Sequence, residues 1–221
     1  MHAVRDRLGS RDQAGFETVV RDACRAHHFK RDAVPREDVE HMTSLAICAV
    51  TACAVQPWRF IAVQDVRLLN SMQHAVLERF EELALRPGLA LQEQKRTMAR
   101  AQALLFAKAP LCIAVLALPH ASAMEELLEL GGMTAEERER LCVRPELQSA
   151  GAAVQLLATA AHSMGYATCW TCAPIVAAER LEALLGVEPP ARLVALVAVG
   201  RPAEAPTAVR QRPLDQVLSF R

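Results

Sequence analysis

The sequence predicts a layered domain of helices packed on a β-sheet, α+β or α/β in class, on three observations. Short β-branched apolar runs are bounded by Pro or Gly, as in Leu111–Leu118 and Arg192–Val199. Longer segments repeat apolar residues at helical spacing, as in Val66–Leu85. Helices come first and strands then alternate with long helices, an order that also leaves antiparallel pairing open. The 221 residues suffice for one larger domain with a sizeable core, and no internal repeat or low-complexity tract divides them.

Each element follows from local pattern. Phe16, Val19, Val20 and Cys24 share one face of a first helix. A second begins after Pro35, with Glu37 and Asp38 in its first turn where they complement the helix dipole, and runs through Val39, Met42, Leu45, Ala46 and Ala49. Arg59–Val63 reads as a strand and Val66–Leu85 as a long amphipathic helix that stops at Arg86-Pro87-Gly88. Leu91–Lys108 reads as a further helix, Met124–Leu130 and Glu136–Leu141 as short helices of a surface excursion. Ala150–Met164 is so uniformly small and apolar that it requires cover on more than one side, from the core or from a second subunit. Tyr166–Trp170 is a strand, Ala177–Leu185 a helix closed by Gly186, and the proline-rich tail from Arg201 has no core of its own and crosses another surface.

Composition excludes several classes of function. Basic and acidic residues balance at 25 each, so the electrostatic footprint needed for nucleic acid or an anionic membrane is missing. The stretch Ala101–Leu118 is broken by Lys108 and Pro110 and cannot be the roughly 20-residue span that a bilayer requires. Met1–Arg11 carries no apolar signal core, so the expected location is the cytoplasm. Seven scattered cysteines fit reduced core thiols, not a disulfide framework. Cys169 and Cys172 lack the further ligands of a zinc site, and with Trp170 between them they read as part of a buried strand. Adjacent His27 and His28 point apart on a helix, and no hydrolase or nucleotide-binding motif is present.

Four segments carry a more specific signal. Gln56-Pro57-Trp58-Arg59-Phe60 precedes the strand Ile61–Val63, and Phe29 to Pro35 has the form F-x-x-x-x-V-P. Gly165-Tyr166-Ala167-Thr168-Cys169-Trp170 follows the apolar helix, and Gly200-Arg201-Pro202 precedes Arg210-Gln211-Arg212-Pro213-Leu214. In this order and spacing they resemble the FMN-dependent nitroreductase family, from about Ala23 to Leu218. The resemblance implies a three-layer sandwich with a central mixed or antiparallel sheet. It further implies one domain over residues 1–221 in an intertwined homodimer, with a tail from residue 201 to 221 wrapping the partner. FMN is then held at the interface, reduced by NAD(P)H and reoxidised by a small-molecule electron acceptor in a ping-pong cycle. The flavin carries the hydride, so no side chain is assigned a catalytic role.

Residue by residue, the resemblance assigns cofactor binding to eight positions. The family's phosphate-binding run at the end of the first helix reads Ala23-Cys24-Arg25-Ala26-His27, which leaves Arg25 and His27. Its P-S-x-x-N-x-Q motif reads Val50-Thr51-Ala52-Cys53-Ala54-Val55-Gln56, which keeps the hydroxyl of Thr51 and the amide of Gln56. Ala167 and Thr168 lie in the turn that approaches the ring, and Arg210 and Arg212 supply phosphate charge from the tail. The opposing reading is a scaffold of the same fold that has lost productive FMN binding and serves as a ligand-binding or interaction protein, favoured by Ala23, Cys24 and Ala54. Trp58, in either case, reads as a packing residue.

Overall fold

A computed structural model describes residues 13–22, 26–51, 55–119, 123–141, 144–204 and 211–221. In chain order these form α1 (Gln13–Asp22), α2 (Arg36–Ala46), β1 (Trp58–Val63), α3 (Val66–Ala84), α4 (Pro87–Ala90) and α5 (Glu93–Ala103). There follow β2 (Leu111–Ala117), α6 (Ala123–Leu130), α7 (Ala135–Leu141), α8 (Pro145–Ser163), β3 (Ala167–Thr171), α9 (Ala178–Leu185) and β4 (Arg192–Gly200). The class is α+β: the four strands of the described residues, ordered β1-β2-β4-β3, pair antiparallel throughout.

Alternation along β2 divides the core into two layers. Leu111, Ile113 and Val115 pack with Val34, Met42, Leu157 and Ala161 beneath α2 and α8. Cys112, Ala114 and Leu116 pack with Met72, Val76, Phe106 and Leu181 beneath α3 and α9. All seven β2 residues are therefore buried, which accounts for a run with no polar residue. Each fully buried aliphatic side chain contributes about 1.5–3 kcal/mol. Together the two clusters fix the three-layer arrangement.

Local chemistry sets the helix ends. The Asp65 carboxylate accepts from the Arg67 amide at 2.8 Å and starts α3. Pro145 occupies the first turn of α8. Gly186, at φ +64°, closes α9 while the Val187 amide donates to the Glu182 carbonyl at 2.9 Å. Thr134 and Glu137 exchange hydrogen bonds across the first turn of α7, which holds the Glu137 carboxyl below its usual range.

Several expectations are corrected. Residues 91–108 are not one helix: α5 ends at Ala103, and Leu105–Lys108 form a 3₁₀ turn that tucks Leu105 and Phe106 into the core. On the shared face of α1, Phe16 and Val20 are exposed. Among described cysteines, Cys112 and Cys169 are buried thiols but Cys48 and Cys172 are exposed. Trp170 is 44% exposed, although the other four residues of β3 are buried. His27 and His28 lie on non-helical backbone, and Cys24 and Arg25 fall outside the described residues. α8 starts at Pro145, earlier than expected, and is covered along one side while Leu147, Ala152, Gln155 and Leu156 stay exposed along the other.

Candidate functional site

At the sheet end where β3 begins and β4 finishes, three distant segments converge. The Ala26 amide donates to the Thr168 carbonyl at 3.2 Å, the Lys30 amide to the Arg201 carbonyl at 2.8 Å, and the Ala203 amide to the His28 carbonyl at 3.0 Å. Phe29 and Pro202 complete this short antiparallel contact. His27 is thereby held, exposed, on a non-helical segment beside the first residues of β3. Ala167 and Thr168 are buried there, paired with Gly200 and Val199, so what they present is backbone and not a projecting side chain.

The same end owes its close packing to Gly200. A β-carbon on Gly200 would stand 2.7 Å from Pro110 Cδ and 3.2 Å from Phe29 Cδ1, so only glycine lets β4 leave the sheet between them. Phe29 also packs with Ala26, Leu105, Ala109, Ala167 and Cys169, which ties the segment bearing His27 to the core.

Thr51 and Gln56 lie elsewhere. They flank the start of β1, whose first residue, Trp58, pairs with Ala117 at the far end of β2. The Gln56 amide nitrogen donates to the Ile47 carbonyl at 3.0 Å, folding the loop back on the end of α2 and leaving the amide oxygen as its outward group. Trp58 is buried with Ala49 and Ala153, in keeping with a packing role. Val50 and Val55 are exposed beside Thr51 and Gln56 and give this loop an apolar surface.

One chain therefore does not bring the expected residues together. β1 and β3 are opposite edges of the sheet, about 14 Å apart at strand spacings of ~4.8 Å. Along the strands, Thr168 and Trp58 sit at opposite ends, a further separation of roughly 20 Å at ~3.3 Å per residue. His27, Ala167 and Thr168 form one group, Thr51 and Gln56 another. Arg212 is exposed in the final segment, while Arg25 and Arg210 lie outside the described residues.

Beside the first group stands a cluster that sequence reasoning missed. The Tyr166 hydroxyl donates to Asp38 Oδ2 at 2.5 Å, and the Arg201 guanidinium lies over its ring, 5.0 Å from the centroid. Burial, then the bond to Asp38, push the phenol pKa up, with Arg201 opposing. Tyr166 and Arg201 both stand inside motif segments, but Asp38 is 128 residues from Tyr166 and no local pattern links them.

A second ionic group, at the other end of the sheet, holds buried Glu146 between Arg192, at 3.0 Å, and Arg144, at 3.7 Å. It anchors the start of α8 to the start of β4. Among the described residues no cluster could hold a metal ion, and no helix is long and apolar enough to cross a membrane.

Comparison with known proteins gives a consistent fold. The model of the Nitroreductase family matches residues 19–201. A BluB-like flavoprotein from Clostridium difficile 630 is 23% identical, with 92% of this chain and 97% of that chain covered at a TM-score of 0.85. A nitroreductase with bound FMN from Desulfitobacterium hafniense DCB-2 is 20% identical, with 93% and 98% covered at a TM-score of 0.69. No functionally curated protein matches the sequence.

Proposed function

The chain belongs to the nitroreductase family, and on that premise we propose that it is an FMN-dependent NAD(P)H oxidoreductase. It reduces small electrophiles such as quinones or nitro compounds by a ping-pong mechanism, as a cytoplasmic homodimer. The observation that carries this reading is the division of the expected site: the two groups of residues at opposite ends of one sheet form a single site only when each comes from a different subunit.

The residues present fit the cofactor. Bound FMN supplies the centre that accepts and passes on hydride. Arg25, His27, Arg210 and Arg212 are the basic side chains available to its phosphate, and His27 and Arg212 are exposed. From the partner, Thr51 contributes a hydroxyl and Gln56 its amide oxygen, on a loop whose exposed Val50 and Val55 suit an apolar ring. Ala167 and Thr168 line the approach with backbone. The exposed side of α8, with Leu147, Ala152 and Leu156 beside Gln155, supplies a partly apolar face for the second copy, and the single domain of residues 1–221 sends its tail across that copy.

A flavin-free binding scaffold draws support from one feature besides Ala23, Cys24 and Ala54: the Gln56 amide nitrogen is already committed to Ile47. The enzyme reading is tested by NADH and NADPH oxidation with menadione or a nitroaromatic acceptor. It expects acceptor-dependent turnover with parallel double-reciprocal lines. Absence of turnover by FMN-loaded protein across both acceptors and both reductants would exclude it.

A further inference from the structure

Tyr166 is the point at which four segments meet. It is 3% exposed and sits between Gly165, at φ +80°, and the first residue of β3. Its hydroxyl reaches the first turn of α2 through Asp38, and its ring carries the guanidinium of Arg201, the residue that follows β4. The Arg201 carbonyl in turn accepts from Lys30, and the Thr168 carbonyl from Ala26, so one end of the segment bearing His27 is tied to the residue stacked on Tyr166 and the other to the strand that Tyr166 precedes. Gly165 is required by its backbone, at φ +80°, while a β-carbon there would meet the Arg201 guanidinium at an ordinary contact distance of 3.4 Å.

Tyr166 brings both an aromatic face and a hydroxyl to this turn. A leucine would fill a similar space but make neither the hydrogen bond nor the cation-π contact. The chain also has Ala23 and Cys24 in place of phosphate-binding residues. With fewer cations, those that remain must be held where an anion can use them. Burial and the Asp38 carboxylate keep the proton on the phenol, so it remains a donor at neutral pH.

We propose that Tyr166 is a positioning residue for FMN, acting through Asp38 and Arg201 to hold the 26–30 segment against the start of β3, and so compensating for an Ala23-Cys24 pair that offers the phosphate no charge. This inference rests on the flavin reading above. The side chain does not touch the cofactor: it fixes the backbone that carries His27 and Thr168 to a single spacing, and so reduces the ordering required on binding.

FMN is titrated into wild type, Tyr166→Phe, Asp38→Ala, Asp38→Asn and the double variant Tyr166→Phe with Asp38→Ala. Affinity is read from flavin fluorescence, and Tm is measured without flavin. Tyr166→Phe and Asp38→Ala are expected to bind FMN about ten-fold more weakly, equivalent to ~1.4 kcal/mol. Asp38→Asn keeps an acceptor and stays within a few-fold of wild type. The double variant is no weaker than either single one, because both remove the same bond. A lowered Tm with unchanged FMN affinity in Tyr166→Phe would reduce the cluster to a structural tie and overturn the inference, leaving the flavin reading intact. Wild type that takes up no FMN would overturn both. Phenylalanine differs by one oxygen and preserves the buried ring, and the Asp38→Ala arm, which removes the same bond from the other side, gives the same discrimination if Tyr166→Phe folds poorly.

Discussion

Deletion of residues 211–221 is expected to yield a monomeric, aggregation-prone protein that retains no flavin. Leu214, Val217, Leu218 and Phe220 are 69%, 53%, 45% and 90% exposed, an apolar set left uncovered by the described residues of their own chain. Four such side chains buried by a partner at about 1.5–3 kcal/mol each would contribute roughly 6–12 kcal/mol per tail, an upper bound because unfolded chains already bury part of that surface. That rivals the total stability of a typical domain, about 5–15 kcal/mol. The cut belongs at residue 211 and not at 201, because residues 201–203 are hydrogen-bonded to His28 and Lys30 of their own chain. Light scattering after size-exclusion chromatography, with thermal denaturation, checks the result. A truncated dimer with the wild-type melting temperature would show that the tail has another role.

Gly200→Ala should be the most damaging single methyl addition at the sheet end that carries His27. The new carbon falls 2.7 Å from the rigid Pro110 ring and 3.2 Å from Phe29. The ring cannot rotate away, so β4 or the 26–30 segment must shift, with an overpacking cost of about 1–3 kcal/mol. Movement of Phe29 carries His27 with it, so FMN affinity should fall along with Tm. Calorimetry and flavin titration on the same variant separate the two effects. Wild-type values in both would contradict the close packing derived for Gly200.

Much of the fold is legible in the sequence because its signals are local. Leu111–Leu118 announces a central strand through its unbroken apolar run between two prolines, and the structure places β2 there with both faces covered. Val66–Leu85 announces α3 through helical spacing and the Arg86-Pro87-Gly88 stop, and the structure ends α3 at Ala84. Features that depend on distant partners are not legible. Nothing near Leu104 marks the break before the 3₁₀ turn, which follows from seating Phe106 between α3 and β4. Trp170 reads as buried from its neighbours and is half exposed, because the described residues of its own chain leave part of the ring uncovered.

The candidate site divides in the same way. Its motifs are contiguous, so His27, Thr51, Gln56 and Thr168 can be read directly from the sequence. Their assembly is not local: pairing order in the sheet sends Thr51 and Gln56 to one corner and His27 and Thr168 to the opposite one. The Tyr166, Asp38 and Arg201 cluster is hidden for the same reason, since its members come from three elements far apart in the chain.

The most direct test of the account is the visible absorption spectrum of the protein purified without added flavin, then again after incubation with excess FMN and desalting. The account predicts a flavin spectrum close to equimolar with the subunit in the second state at least. Colourless protein in both states would contradict it and leave the fold as a flavin-free scaffold.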